Sequence, residues 1–495
     1  MLNRKESTGS AEPPPFAKGG RGFHASFLAI FRRRGCRPQS AGDSPFRILY
    51  SLHNHSINDK FMVKIMKNKI FISALLVLFF VTLFFSNKSF EKNNKDKNEN
   101  PADIKKLEYL QNNMAEINID EDSFDVLADF NKSIKNYDIF LIGEKYWVSK
   151  NYDIIFYLLK NFNQNHGVRY ILLESGLGFS DGKLLNKYLQ SGDKKILNSI
   201  FKSRLNNVFY AREEYEFYIK VCEYNKTLPK NKKLVFIGID IQHQIIIGKN
   251  YIFDILSSPP PENILKKINK FKQKWDDNKL ISILDDNQYI KELEYEIQII
   301  LEDMDDEYEI YMEYLADEYF DFKFACENIL QALDCYKDDS AKFYKRKNYI
   351  QNNFETLYTH YGNEKYCGYF GDNNILLTYS PLGVQTIGSF IENEYEPTKG
   401  KTFSLIFIYN NCKSATHLGD YTPIDVQAPD SIDKKTFSCL ISLSKSDFTL
   451  FNLINNGSPF AKLTPNTDKI YTAYGFQYCI LIQNSPAVKK LNLVS

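Results

Sequence analysis

Two short apolar runs, each ending on an acid, set the limits on this fold. Asp138–Glu144 reads DIFLIGE and Tyr170–Glu174 reads YILLE. Continuous rather than alternating apolar residues mark strands buried on both faces, the condition of a parallel sheet covered by helices. Between them, Asn151–His166 has helical spacing and Gly167 supplies a stop. A strand–helix–strand unit delivers both strand ends to one rim of a parallel sheet, where open α/β folds hold their ligands. A third run, Leu234–Ile239, also ends on an acid, Asp240. Tyr366–Phe370, followed by Gly371-Asp372-Asn373-Asn374, and Phe403–Tyr409 read as a fourth and a fifth strand. Phe437–Leu443 and Tyr478–Ile482 read as later strands that extend the sheet or form an antiparallel edge. The expected fold class is α/β, a mostly parallel central sheet flanked by helices.

Between these runs the spacing is helical over 104–135, Asp181–Leu205 and Arg212–Tyr224. Residues 261–358 contain no strand pattern and are rich in Lys, Glu, Asp and Tyr, so they read as an all-helical insertion between strands. Within it Glu309, Glu313, Asp317 and Asp321 recur every four residues, one line on a helix; a solvated bundle face is the expected reading, and cation binding the alternative. Tyr308, Tyr311, Tyr314 and Tyr319 would form the packed or half-packed side. The folded domain is expected over 104–495.

The N-terminal quarter differs in kind. Residues 1–61 hold Arg4, Arg21, Arg32, Arg33, Arg34, Arg37 and Arg47, whereas the rest of the chain holds only Arg169, Arg204, Arg212 and Arg346 and uses lysine instead. That stretch, rich in Pro, Gly and Ser, is expected to be disordered. It reads as a spurious extension ahead of a start at Met62 or Met66, or as a cytoplasmic tail. Residues 62–90 carry the membrane signal. Ile70–Phe85 lacks any charge and as a helix would span roughly 24 Å against a hydrocarbon core of ~30 Å. No small-x-small pair follows it, so an uncleaved N-terminal transmembrane helix is expected, with the main domain extracytoplasmic. Residues 91–103 are a charged, Asn-rich tether.

A net charge of +1 gives no electrostatic basis for a nucleic-acid partner. Cys36 lies in the N-terminal stretch. Cys222, Cys326, Cys335, Cys367, Cys412, Cys439 and Cys479 show no CxxC and no metal spacing, and read as small buried hydrophobes. No cofactor signature is present, and metal dependence is left open.

The chemistry is expected on the strand ends. Glu144 follows Gly143, where a glycine lets the chain turn and a ligand approach. Glu144, Glu174 and Asp240 could orient water, act as a general base or bind metal. Alternatively they cap helices or pair with lysines. His243, in GIDIQHQ, is the histidine nearest a strand end and the candidate imidazole for proton transfer. His166, in the last turn of a helix, suits the helix dipole as a cation. His360 and His417 fall in loop-like surroundings.

FLIGEKYWVSKNYDIIFYLLKNF, RYILLESG, LLNKYLQSGD and KKLVFIGIDIQHQ, in this order, resemble the erythromycin esterase-like superfamily, with haem-binding ChaN-like and TraB/Tiki proteins as more distant relatives. The similarity covers roughly residues 104–445. It implies a hydrolase-like α/β fold with a histidine after the first strand's Gly-Glu, a glutamate ending the second strand and a histidine ending a later one. Here the first histidine would fall on Tyr146 or Trp147, and the later one on Asn374. Glu144, Glu174, Asp240 and His243 remain. Neither a phenol nor an amide replaces imidazole as a general base near neutral pH. The expectation is therefore an anchored domain that binds a small-molecule ligand or hydrolyses very weakly. The alternatives are an active ester, lactone or metal-assisted hydrolase using Glu144, Glu174 and His243, or a surface interaction protein using the helical insertion.

Overall fold

The computed structural model describes residues 101–493, apart from 122, 204–210, 282, 284–285, 338–341, 380–382, 417–421, 427–431 and 461–474. The apolar segment 70–85, residues 1–61 and His417 lie outside the described residues. Among the described residues no helix is long and apolar enough to cross a membrane.

Among the described residues ten strands are present: β1 Met114–Ile117, β2 Ile139–Glu144, β3 Tyr170–Gly178, β4 Val235–Asp240, β5 Tyr366–Gly371, β6 Thr402–Asn410, β7 Lys413–Ala415, β8 Pro423–Asp425, β9 Phe448–Asn452 and β10 Tyr478–Gln483. Eight of them form one sheet in the order β1-β9-β10-β6-β2-β5-β3-β4, and β7 pairs with β8 in a small hairpin. From β10 to β4 all neighbours are parallel; β9 and β1 are antiparallel additions at one edge. The continuous apolar runs explain the parallel centre. In β2, Ile139 and Leu141 enter one hydrophobic cluster while Phe140 and Ile142 enter the other. A strand with both faces buried cannot afford polar alternation.

One face of the sheet carries helices Ser149–His166 and Arg212–Thr227. The other carries helix Ile245–Ile255 and the insertion, in which Glu262–Gln273, Asn287–Asp306, Tyr319–Lys337 and Lys342–Tyr361 are the long helices. Among the described residues the insertion contains helices and no strand. At the β4 edge, helix Phe179–Ser191 comes close enough that a Cβ on Gly182 would meet the backbone of Gly238 at 2.7 Å. The helix thereby covers a strand edge that would otherwise invite pairing.

Several expectations are corrected. The 104–135 region is not all helix: helix Pro101–Asn112 gives way to β1 and then to helix Ala128–Ile134. Phe437–Leu443 is not a strand but most of helix Lys434–Leu443, capped by Asp433, whose side chain accepts from the Lys435 and Thr436 amides. The four-residue acidic line is not on one helix. Helix Tyr308–Leu315 ends at Ala316, which has φ 47°, so Asp317 and Asp321 lie beyond the break. Asp321 pairs with Lys183 and accepts from the Tyr251 hydroxyl. His360 is helical and stacks on Phe320. His166 is not a dipole-serving cation: burial pushes it down to about 4, and its Nε2 lies 3.0 Å from the Asn131 amide oxygen. The seven described cysteines are free, and all but Cys439 are buried.

Candidate functional site

The carboxyl ends of β2, β3, β4 and β5 share one rim, so Glu144, Glu174, Asp240 and Gly371 reach it together. The chain leaves β2 for β3 and β4 on one side and returns through β6 and β10 on the other. Such a reversal opens a crevice at the strand ends.

Glu174 is the most heavily bonded group there. Its Oε1 accepts from Arg346 Nη2 at 2.8 Å and from Asn374 Nδ2 at 3.2 Å. Its Oε2 accepts from the Tyr146 hydroxyl at 2.7 Å, and at 3.4 Å from the Ser175 hydroxyl and the Gly371 amide. Tyr146 can come this close because Gly371 has no side chain: a Cβ there would lie 2.6 Å from the phenol oxygen. Asp240 takes the other side of the same guanidinium, Nε at 2.8 Å and Nη2 at 2.5 Å, and also accepts from the amides of Gly176 and Ile241. Both carboxylates are almost wholly buried, whereas Arg346 is 29% exposed. Burial works against the guanidinium charge, yet Asp240 and Glu174 hold it well above its usual range.

The backbone is bent to make this arrangement. Trp147 and Ser175 adopt left-handed conformations, φ 63° and 69°, and Gly176 follows at 82°. Non-glycine residues hold such angles only where their surroundings over-determine them. At Trp147 the restraint is visible: its carbonyl accepts amides from Val488 and Ala415, while Ser414 donates to the Tyr146 carbonyl.

Glu144 is arranged differently. Its carboxylate accepts from Asn151 Nδ2 at 2.6 Å, and Asn151 accepts in turn from the Tyr409 hydroxyl. Burial pushes Glu144 up to about 8; the Asn151 hydrogen bond opposes this, and the Glu214 and Glu174 charges add to it. Asn151 belongs to a helix on one face of the sheet, Arg346 to a helix on the other. The glutamates therefore do not share a donor, though both charges, after burial, raise the Tyr146 phenol. Lys145 pairs with Asp372 at 2.8 Å on the same rim.

His243 packs against Gly176, and its Nδ1 lies 3.1 Å from the Tyr336 hydroxyl, which also donates to the His243 carbonyl. Burial lowers it, Asp240 opposes, and Lys342 and Arg346 reinforce the drop, so the ring is neutral near pH 7. The rim thus brings Glu174, Asp240, Tyr146 and Asn374 together on Arg346 or on Glu174. Glu144 and His243 stand at its margins with partners of their own. Trp147 is half-buried beside Tyr146, with ring centroids 5.9 Å apart. Among the described residues no group of three His, Cys, Asp or Glu side chains is placed to hold a metal ion.

Sequence reasoning missed Arg346, Asn151 and Tyr336. Arg346 had a signal: it is one of four arginines after residue 61 in a chain that otherwise uses lysine. Arginine is the side chain suited to bridging two buried carboxylates.

The whole domain resembles solved structures. A Bacillus cereus protein superposes with TM-score 0.59 at 16% identity, covering 79% of this chain and 99% of that one. A succinoglycan biosynthesis protein gives 0.59 at 13% identity with the same coverages. A mutant of erythromycin esterase EreC in its open conformation gives 0.56 at 12% identity, covering 77% and 99%. The domain has an erythromycin esterase-like fold. No family profile and no curated protein matches the chain. At these identities the erythromycin esterase-like fold is shared and nothing finer follows.

Proposed function

We propose that this chain is a membrane-anchored, extracytoplasmic domain of erythromycin esterase-like fold that binds a small-molecule ligand and hydrolyses it very slowly or not at all. The observation that carries this reading is the state of Glu174. A general base needs an accessible lone pair and a group that titrates near working pH. Glu174 has every oxygen engaged, by Arg346, Asn374, Tyr146, Ser175 and Gly371. Tyr146, which with Trp147 is one of two positions where the resemblance implies a histidine, and Asn374, where it implies another, act as donors to it. The anchor rests on the uncharged run Ile70–Phe85.

The test is turnover of a panel of aryl esters and macrolactones by the full chain. Wild type should match Glu174→Gln at background, and the Tyr146→His/Asn374→His double variant should gain activity. Robust wild-type turnover abolished by Glu174→Ala would sink the proposal. The same preparation should fractionate with membranes and be released by deleting residues 1–90; a deletion that leaves it bound would refute the anchor.

A second reading, an active ester or lactone hydrolase, draws on Glu144. A carboxyl group raised to about 8 is in the range where proton transfer is efficient near neutral pH. Under that reading Glu144→Gln alone would abolish turnover.

A further inference from the structure

Two helices on one face of the sheet begin without a cap of their own. Ser149–His166 starts after Val148 and Arg212–Thr227 after Ala211, and neither apolar side chain can accept the first free amides. One stretch near the C-terminus, Ser485–Lys490, supplies what both lack. The Pro486 carbonyl accepts from the Ser149 amide at 3.0 Å, and the Ser485 hydroxyl accepts from the Lys150 amide at 3.0 Å. The Lys489 carbonyl accepts from the Arg212 amide at 2.8 Å, and the Lys489 amide donates to Glu213 at 2.9 Å. The pairing is antiparallel on each side, Val148 with Ala487 and Ala211 with Lys490.

The first of these helices starts at the strand-end site. The Val488 amide donates at 3.1 Å to the carbonyl of Trp147, the residue held at φ 63°. Tyr146, whose hydroxyl donates to Glu174, immediately precedes it, and Asn151, which donates to Glu144, lies in the first helical turn. A left-handed backbone is costly for a residue with a Cβ, so the Trp147 conformation lasts only while its surroundings hold it.

The grip on the segment itself is light. Ala487 and Val488 pack with Ala211 and Ala415 in a small cluster apart from the two main cores, with Trp147 and Tyr152 against it. Pro486, Lys489 and Lys490 are exposed. Few buried apolar contacts and exposed main-chain hydrogen bonds mark a segment that opens locally at less cost than global unfolding. β10 precedes it and Leu491, beyond it, enters a main core, so the segment is fastened at both ends and lifts between them.

Resting on the reading that Glu174 is idle because its oxygens are engaged, we propose that Ser485–Lys490 is an autoinhibitory strap across the site. Seated, it pins Trp147 and keeps the Tyr146 phenol on Glu174. Lifted, it lets Trp147 leave the left-handed region and carries Tyr146 away. That exposes Glu174 Oε2, whose other two donors stand at 3.4 Å, to a ligand in the crevice.

The chain has two tryptophans, Trp147 and Trp275, so Trp275→Phe leaves Trp147 as a single fluorescent probe of the turn. In that background, with the full chain in detergent, acrylamide quenching of Trp147 is measured beside carbodiimide–amine labelling of Glu174, mapped by mass spectrometry. The buried Glu296 of the insertion is the control for general loosening. Val488→Pro deletes the amide that holds Trp147. It should raise both quenching and Glu174 labelling about threefold or more while Glu296 is unchanged. Val148→Cys/Ala487→Cys joins a facing pair. Once oxidised, it should label Glu174 about threefold or more slowly than the same protein reduced. Glu174 labelling that stays unchanged in Val488→Pro, or rises together with Glu296, would overturn the proposal. If Val488→Pro does not fold, equal labelling of the oxidised and reduced cysteine pair overturns it. Turnover is not the readout, so robust wild-type ester hydrolysis would refute slow hydrolysis and leave the strap to stand or fall on labelling.

Discussion

Glu144 on β2 and Glu174 on β3, strands separated by β5, lie on one rim, carry the same side chain and are equally hidden from water, yet their surroundings are opposite. Glu174 is surrounded by donors and tied to a guanidinium. Glu144 has one amide donor of its own and a buried setting that favours its proton. The contrast shows that burial alone does not decide what a carboxylate can do. Where donors are supplied, the carboxyl group is held in place by its partners. Where they are withheld, the group keeps an exchangeable proton.

The largest test of this contrast removes the shared cation. Arg346→Met should cost about 3–5 kcal/mol in denaturant unfolding, because it strands two buried carboxylates. Adding Glu174→Gln and Asp240→Asn to that variant should restore most of the loss. A cost below about 1 kcal/mol would mean that water already screens the cluster.

The next test addresses Glu144. Its folded-state pKa lies above the unfolded one, so the folded protein holds the extra proton between the two. Stability from this source is full below the unfolded pKa and is lost as pH rises toward about 8. Wild type should lose on the order of a few kcal/mol between pH 5 and pH 9, and Glu144→Gln should flatten that slope. A parallel decline in both proteins would assign the slope to other groups. The smallest effect belongs to Tyr146→Phe, which removes one of several donors to Glu174 and should cost about 1–2 kcal/mol. If it instead matches the arginine variant, the phenol rather than the guanidinium holds the carboxylate.

The central strands were readable from sequence because burial on both faces imposes an unbroken apolar run, as in FLIG, YILL and VFIGI. The antiparallel strands β1 and β9 were not. MAEI and FTLFN are only four and five residues long, so their pattern is weak. Phe437–Leu443 was misread because a short apolar run is ambiguous between strand and helix. The arbiter was Asp433, a capping residue just ahead of it. The same division holds at the site. Acids at strand ends were expected from the topology, and Tyr146 or Trp147, together with Asn374, were singled out by the resemblance. Arg346, from a helix 172 residues along the chain from Glu174, required the tertiary fold.

The sheet's outer edge has a bearing on how the chain comes to be made. β1 pairs with β9, which leans on β10, the last strand in the sequence. β1 thus waits for β10, the last of the described strands. Until the C-terminal residues leave the ribosome, β6 keeps an unpaired flank and the apolar faces on that side have no cover. A nascent domain in that condition favours chaperones and slow, late closure. Truncation into β10 would then be felt at β1, because it detaches the β9–β1 pair from β6.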